Sequence, residues 1–529
     1  MKMAVHGIDL GTTYSCIASI DQVGRAEVHR NQEGSDTTPS VVFFETWDNV
    51  IVGQTAKDSA AVYPDDVVSL VKRDMGHGTT RTLHGRDYTP EEISAFILRK
   101  LVEDVKVTEG AEVCDVVVTV PAYFGAAERD ATRKAGRIAG LNVIDIVSEP
   151  IAAAITYGVL NPSQDCRILV YDLGGGTFDT TVITLRGGDI EVVCTDGDHE
   201  LGGTDWDSEL VEFLAERFRQ EHPEVSDPLD NKQTEQDLRR LAEDLKKTLS
   251  SRMKHAVRVM HEGRVTSVEM SRAEFESVTR HLLDRTIAIT RRTLETARSR
   301  GVTEFDHLVL VGGSSKMPAV AAALEQEFAI VPQLRDPDLA VAKGAALYAF
   351  EETYRRLLSS GKREQAEEMA LGAGLSATQQ MEIEKRTIKT VASRAFGIVT
   401  TDKRTRREYV THLVHANDPL PADVTQTFYT LDDDQRRVAV EVMEQAGSAE
   451  SDRLDDNNEI GKGDLSIPPN KRAGFPLEVT FTLDPSGLLH VTARENETGE
   501  RLDLDIQIGG MSEEEVLMSR TSLSAVQVS

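Results

Sequence analysis

The chain has 529 residues, 40% of them hydrophobic and 28% charged, an ordinary globular composition too long for one core and suited to several domains. Its 59 Lys and Arg stand against 88 Asp and Glu, and the resulting formal charge of −29 disfavours nucleic acid or an anionic membrane as partner. Four scattered cysteines without a C-x-x-C pair, the lack of an 18-residue apolar run and the lack of a signal-peptide pattern predict a cytoplasmic protein with no disulfide framework.

In chain order, the first feature is an apolar strand at 5–8 followed by Asp9-Leu10-Gly11, the hydroxyl residues Thr12 and Thr13, Tyr14, Ser15 and a second strand at 16–20. Short strands follow at 40–44 and 50–52, then the stretch that holds Lys72, then a helix at 91–105. A strand at 116–120 stops at Pro121, and good helix formers fill 126–138. The central stretch repeats the opening grammar: a strand at 168–171, Asp172-Leu173-Gly174-Gly175-Gly176-Thr177-Phe178-Asp179, and a strand at 180–185. Glycines here let the backbone approach an anion, and Thr177 with the turn's N–H groups offers donors to phosphate. Carboxylates beside a phosphate repel it unless a divalent cation and its waters lie between, so Asp9, Asp172 and Asp179 are read as metal-organising. One such turn could be a plain hairpin; two of them facing each other would clasp one phosphate chain.

Further glycine pairs stand at Gly202-Gly203 and at Gly312-Gly313-Ser314, the latter between an apolar strand and a helix that begins near Pro318. No Walker-type G-x-x-x-x-G-K-[ST] occurs. The helical stretch 235–249 puts Glu243, Lys246 and Lys247 on one face, which by itself reads as a solvated charge network. Composition shifts between 351 and 390, the expected helical extension and linker. Beyond it, alternating strands at 438–442, 479–483 and 488–493, with a turn at 484–487, predict a β-sandwich over 391–509. Residues 510–529 read as a short Ser-rich tail.

The two Asp-Leu-Gly hairpins, Val118-Thr119-Val120-Pro121-Ala122-Tyr123-Phe124, Ser148-Glu149-Pro150, Leu201-Gly202-Gly203-Thr204-Asp205 and Val311-Gly312-Gly313-Ser314 together resemble the ATPase domain of the Hsp70 chaperone family, within the actin-like ATPase superfamily. The resemblance implies an α/β fold with a two-lobed nucleotide-binding domain over 1–350 and a β-sandwich that binds substrate peptide. It implies ATP or ADP with Mg2+ and K+ as ligands, with Lys72, Glu149, Asp172, Thr177 and Asp179 at the hydrolytic site. Gly11, Thr12, Thr13, Tyr14, Gly174, Gly175, Gly176, Gly202, Gly203, Gly312, Gly313, Ser314 and Asp338 would line the nucleotide. Glu243 and Lys246 would reach the ribose, Ser250 the base, and Lys247 the adenine face opposite Lys316, where many members carry Arg. Pro121 and Arg129 occupy the places of the family's allosteric relay.

By the same resemblance Ile398, Phe428, Leu431, Val438, Val440 and Leu477 would line a groove for an extended apolar peptide; the alternative is that they are plain sandwich core. Three departures qualify this expectation. Asp145 replaces a common Arg, so J-domain control of the usual kind is not expected, although a nucleotide-exchange factor is. The apolar linker peptide is replaced by Lys385-Arg386-Thr387-Ile388-Lys389-Thr390, and no helical lid is expected after Met511. The reading is a lidless, slow ATPase and chaperone for unfolded segments, with an ATP-switched module for one dedicated partner as the rival.

Overall fold

The computed structural model describes residues 5–160, 165–334, 336–447, 449–485, 487–505 and 511–529. Two six-stranded sheets share one grammar. In the first, the order is Asn142–Ser148, Asp115–Val120, Val5–Asp9, Tyr14–Ile20 and Ala26–Val28, with Thr38–Pro39 paired to Tyr14–Ile20 off that path. In the second it is Pro332–Leu334, His307–Val311, Cys166–Leu173, Phe178–Arg186, Asp189–Asp198 and Ile388–Lys389. In each, a central strand pairs in parallel on one side and antiparallel on the other, where it runs into its hairpin. The antiparallel register sets Asp9 against Cys16 and Asp172 against Asp179, and the parallel one sets Asp172 against Val311. Both hairpins therefore leave their sheets at corresponding ends of the parallel pairs, the usual place for ligand loops in such sheets.

The helix Ala340–Ser359 crosses beneath the first sheet and against the helix Glu149–Leu160. It approaches so closely that a Cβ at Gly344 would run into the Ala152 carbonyl, so glycine is required there. Tyr354 and Leu357 from it share a core with Ala366, Ala370 and Ile383, which come from two further helices, Arg363–Gly372 and Ala377–Lys385. Much of the stretch read as extension and linker is thus packed helix. Its last part, Ile388–Lys389, adds a parallel strand to the second sheet beside Ile190 and Glu191. Edge pairing of this kind is made by main-chain groups, so it forms although this stretch lacks a run of apolar side chains.

Residues 396–505 form two four-stranded antiparallel sheets. One holds Phe396–Thr401, Glu408–Val414, Arg437–Gln445 and Asn457–Ser466, and the other Ala422–Tyr429, Pro476–Leu483, Leu489–Glu495 and Arg501–Asp505. The predicted hairpin is present, with Phe481 opposite Val491. Inward-facing Phe396, Val442, Val479, Phe481 and Val491 share one core, which also takes in Ala126 and Ala127 from the first part of the chain. The expected domain boundary at 509 and 510, and Ser486 in the hairpin turn, lie outside the described residues.

The stretch read as a tail is ordered. Ser512 and Glu515 form a capping box that starts the helix Glu513–Leu523. Val516, Leu523 and Val526 enter the core that holds Ile97 and Leu101, Gln527–Val528 pairs in parallel with Asn49–Val52, and Arg99 donates to the Leu523 and Val526 carbonyls. Cys16, Cys166 and Cys194 are buried, but Cys114 is exposed, because it sits in the loop just before the strand Asp115–Val120. Among the described residues no helix is long and apolar enough to cross a membrane.

Candidate functional site

The two hairpins meet tip to tip. A Cβ at Gly175 would collide with the Thr13 side chain and one at Gly176 with Thr12, so a bare backbone is what allows the contact. Each turn is fixed locally: Gly11 N–H donates to Ser15 Oγ at 3.2 Å, and Gly174 N–H to the Thr177 carbonyl at 3.0 Å. The glycine pair at 202–203 opens the helix Gly203–Glu221, whose Gly203 and Thr204 N–H groups donate to the Gly174 and Gly175 carbonyls. Ser314 faces the same helix start, with its hydroxyl where a Cβ on Gly203 would lie, and a Cβ at Gly312 would crowd the Leu173 carbonyl. Arg73, one residue past Lys72, bridges the halves by donating to the Gly176 carbonyl at 3.0 Å and to Asp205 at 2.7 Å.

Beneath the tips lie Glu149, Asp172 and Asp179, all buried, with Asp9 partly buried beside them. Lys72, 4% exposed, donates to Glu149 Oε1 at 2.7 Å. Tyr123 N–H holds Asp179 at 2.9 Å, and Thr119 Oγ1 holds Asp9 at 3.1 Å. Burial, and then the neighbouring charge of Glu149, pushes the Asp9 and Asp179 carboxyls up to about 7 and Asp172 well above the usual carboxylate range. Four acids around one lysine make a cluster that favours proton or cation uptake. Among the described residues no three His, Cys, Asp or Glu side chains are gathered closely enough to hold a metal by themselves. The excess of buried carboxylate charge fits a divalent cation such as Mg2+ with its waters.

On the far side of the cleft, Glu243 collects Lys57 Nζ at 2.5 Å, Lys247 Nζ at 2.6 Å and Tyr14 OH at 3.1 Å. Burial raises its carboxyl, but Lys57 and Lys247 overcome that and hold it down at about 2. Lys246 is turned elsewhere, donating to the Gly203 carbonyl and to Asp207, both at 2.7 Å, and Ser250 bonds back to the Lys246 carbonyl. Lys316 pairs with Asp338, and Gly313 lies against that carboxylate. The structure thus brings Tyr14, Glu243 and Lys247 together, and Lys316 with Asp338, but separates Lys246 from Glu243. Sequence reasoning missed Lys57, Arg73, Thr119 and Asp207. Two of them had a signal, since Thr119 stands in the stretch Val118-Thr119-Val120 and Arg73 next to Lys72, whereas Lys57 and Asp207 had none.

The family model described as Hsp70 protein matches residues 5–82, 78–351 and 358–521. The chain belongs to the Hsp70 family. Members of this family are ATP-binding chaperones and ATPases that use Mg2+.

The six residues expected at the Hsp70 peptide groove divide into two sets. Ile398, Val440 and Leu477 are buried in the core shared by the two β-rich sheets, whereas Phe428, Leu431 and Val438 are half-buried. Phe428 sits opposite Leu477 in the register of its sheet. Close to the half-buried set, Arg406 and Asp432 join the loops after Thr401 and Thr430 by an exposed ion pair at 2.6 Å. Asp145, the residue that departs from the family's Arg, accepts from Tyr348 OH at 2.7 Å and is not a free surface acid.

Proposed function

We propose that this Hsp70 member binds ATP between the two hairpins, hydrolyses it slowly, and acts as a chaperone that holds extended apolar peptide segments. The observation that carries the reading is the excess of buried carboxylates closed around Lys72 at the foot of two glycine turns, a costly arrangement unless it serves a bound cation and phosphate. In this reading residues 1–350 are the two-lobed, actin-like nucleotide-binding domain, 351–390 an extension and linker, and 391–509 a peptide-binding β-sandwich. The repeated strand grammar of the two large sheets supports the first of these, and the common core of the two small sheets the last.

Bound Mg2+, with K+ beside it, would supply charge neutralisation at the phosphates. Thr13 and Thr177 donate their hydroxyls to phosphate oxygens. Lys72, oriented by Glu149, positions and polarises the attacking water. Asp179, steadied by the Tyr123 N–H, takes the proton; catalysis of this kind is mainly positioning and charge compensation. Glu243, Lys247, Lys316 and Asp338 enclose the nucleoside, with Lys57 tying Tyr14 and Glu243 together. A nucleotide-exchange factor belongs to the same reading; J-domain control does not, since Asp145 is committed to Tyr348. Calorimetry with Mg2+ and ATP, followed by phosphate release, tests it: uptake with slow turnover is expected, and no uptake by folded protein removes it.

A second reading, an ATP-switched module for one dedicated partner, is favoured by the burial of Ile398, Val440 and Leu477, which leaves a shallower apolar face for unselected peptides. A panel of unrelated apolar peptides, titrated with and without ATP, separates the two. Broad binding weakened by ATP supports the chaperone, and silence across the panel supports the module.

A further inference from the structure

The β-rich region meets the rest of the chain through a buried ion network that the nucleotide chemistry does not use. Arg394, 4% exposed, lies between two carboxylates that are also buried: Glu128 at 2.8 Å, on the helix Ala126–Ile138, and Glu444 at 3.3 Å, on the strand Arg437–Gln445. The other Glu444 oxygen accepts the Ala126 N–H at 3.1 Å, at the start of that helix, and a side chain at Gly125 would displace it. The Arg394 guanidinium covers the Tyr123 ring at 5.1 Å, and Tyr123 OH donates to the Gly447 carbonyl at 2.8 Å. Ser393 Oγ donates to the Phe124 carbonyl, and the Thr195 N–H to Asn417 Oδ1 at 2.7 Å.

We propose that Arg394, Glu128 and Glu444 are a lock that joins the β-rich region to the large sheets as one body and tightens on acidification. One guanidinium faces two buried carboxylates, so the assembled trio carries an excess negative charge unless one acid holds a proton. The other charged or titratable groups facing it are Arg129, whose guanidinium lies beside Glu128, and Tyr123, His199, Asp196 and Asp198. Burial pushes the Glu444 carboxyl up to about 7, against the pull of Arg394 and with a further push from Glu128. A carboxyl whose value is raised on docking favours the docked form at low pH. Docking therefore weakens by up to about tenfold per pH unit as pH rises from its ordinary value toward 7, and is flat above. The lock requires neither nucleotide nor peptide, so it stands or falls apart from the chaperone reading.

Hydrogen exchange on the whole chain tests it at the amides of Ala126 and Thr195, both bonded to side chains across this junction. After correction for intrinsic rates, exchange is expected to be about tenfold faster at pH 7.5 than at pH 6.0 in the unaltered protein. In Glu444→Gln, which keeps an oxygen acceptor and removes the charge, the two pH values should give the same rate. Arg394→Met should open the junction at least tenfold more often at both, and should it not fold, Glu444→Gln alone decides. Equal exchange at the two pH values in the unaltered protein, or an undiminished pH response in Glu444→Gln, overturns the proposal.

Discussion

The proposed nucleotide cleft and the proposed peptide face pose opposite problems of interpretation. In the cleft the residues singled out are charged and buried, and burying Asp172, Asp179, Glu149 and Lys72 is unfavourable enough that packing alone does not account for them. On the β-rich face they are apolar, and burying Ile398, Val440 and Leu477 is what any pair of packed sheets does. Burial is thus informative about function in the first region and nearly silent in the second. There the half-exposed Phe428, Leu431 and Val438 carry the functional question.

The sharpest way to break that contrast is Lys72→Ala. Turnover is expected to fall by about 10²–10³-fold, read by single-turnover phosphate release, while nucleotide affinity measured by calorimetry stays nearly unchanged. An unchanged rate would make the buried charges structural after all. Next, Leu477→Ala should lower stability by about 2–5 kcal/mol in urea unfolding, whereas Val438→Ala should cost under about 1 kcal/mol and act mainly on peptide affinity. Loss of peptide binding by Leu477→Ala at full stability would move that residue from core to groove.

A smaller effect concerns pH. Asp179 is raised on folding, so it favours the folded state at low pH, and that stabilisation is lost as pH rises from the ordinary Asp value through about 7. From Asp179 alone, nucleotide-free protein should therefore lose up to about 1.4 kcal/mol per pH unit across that window, checked by thermal unfolding, with Asp179→Asn making the slope shallower by that share while Asp9 and Asp172, raised in the same cluster, keep the rest. The smallest signal is chemical: under native conditions a thiol reagent should titrate Cys114 alone, with Cys16, Cys166 and Cys194 reacting only after unfolding.

Much of the cleft was legible in the sequence because its parts are contiguous: each hairpin carries strand, acid, glycines and hydroxyl within about a dozen residues. What was not legible depends on pairings across long separations. Lys57 meets Glu243 across 186 residues and Arg73 meets Asp205 across 132, and neither has a local pattern to announce it. Helical spacing reads Lys246 as part of a solvated charge network with Glu243, yet it is buried and bonds Asp207 on a neighbouring helix instead. The strand Ile388–Lys389 escaped notice because edge pairing is made by main-chain groups, to which side-chain patterning is blind. The capping box at Ser512 and Glu515 was readable, but nothing local told where its helix would rest.

That resting place bears on how the molecule comes apart. The chain departs for the β-rich region after Lys389 and comes home at Met511, where the helix and strand of 513–528 settle on the part of the molecule in which it began. The intervening segment is therefore a loop pinned at both ends. A protease that severs a single exposed bend such as 402–407 should leave two fragments that still travel as one particle through gel filtration, parting only in denaturant.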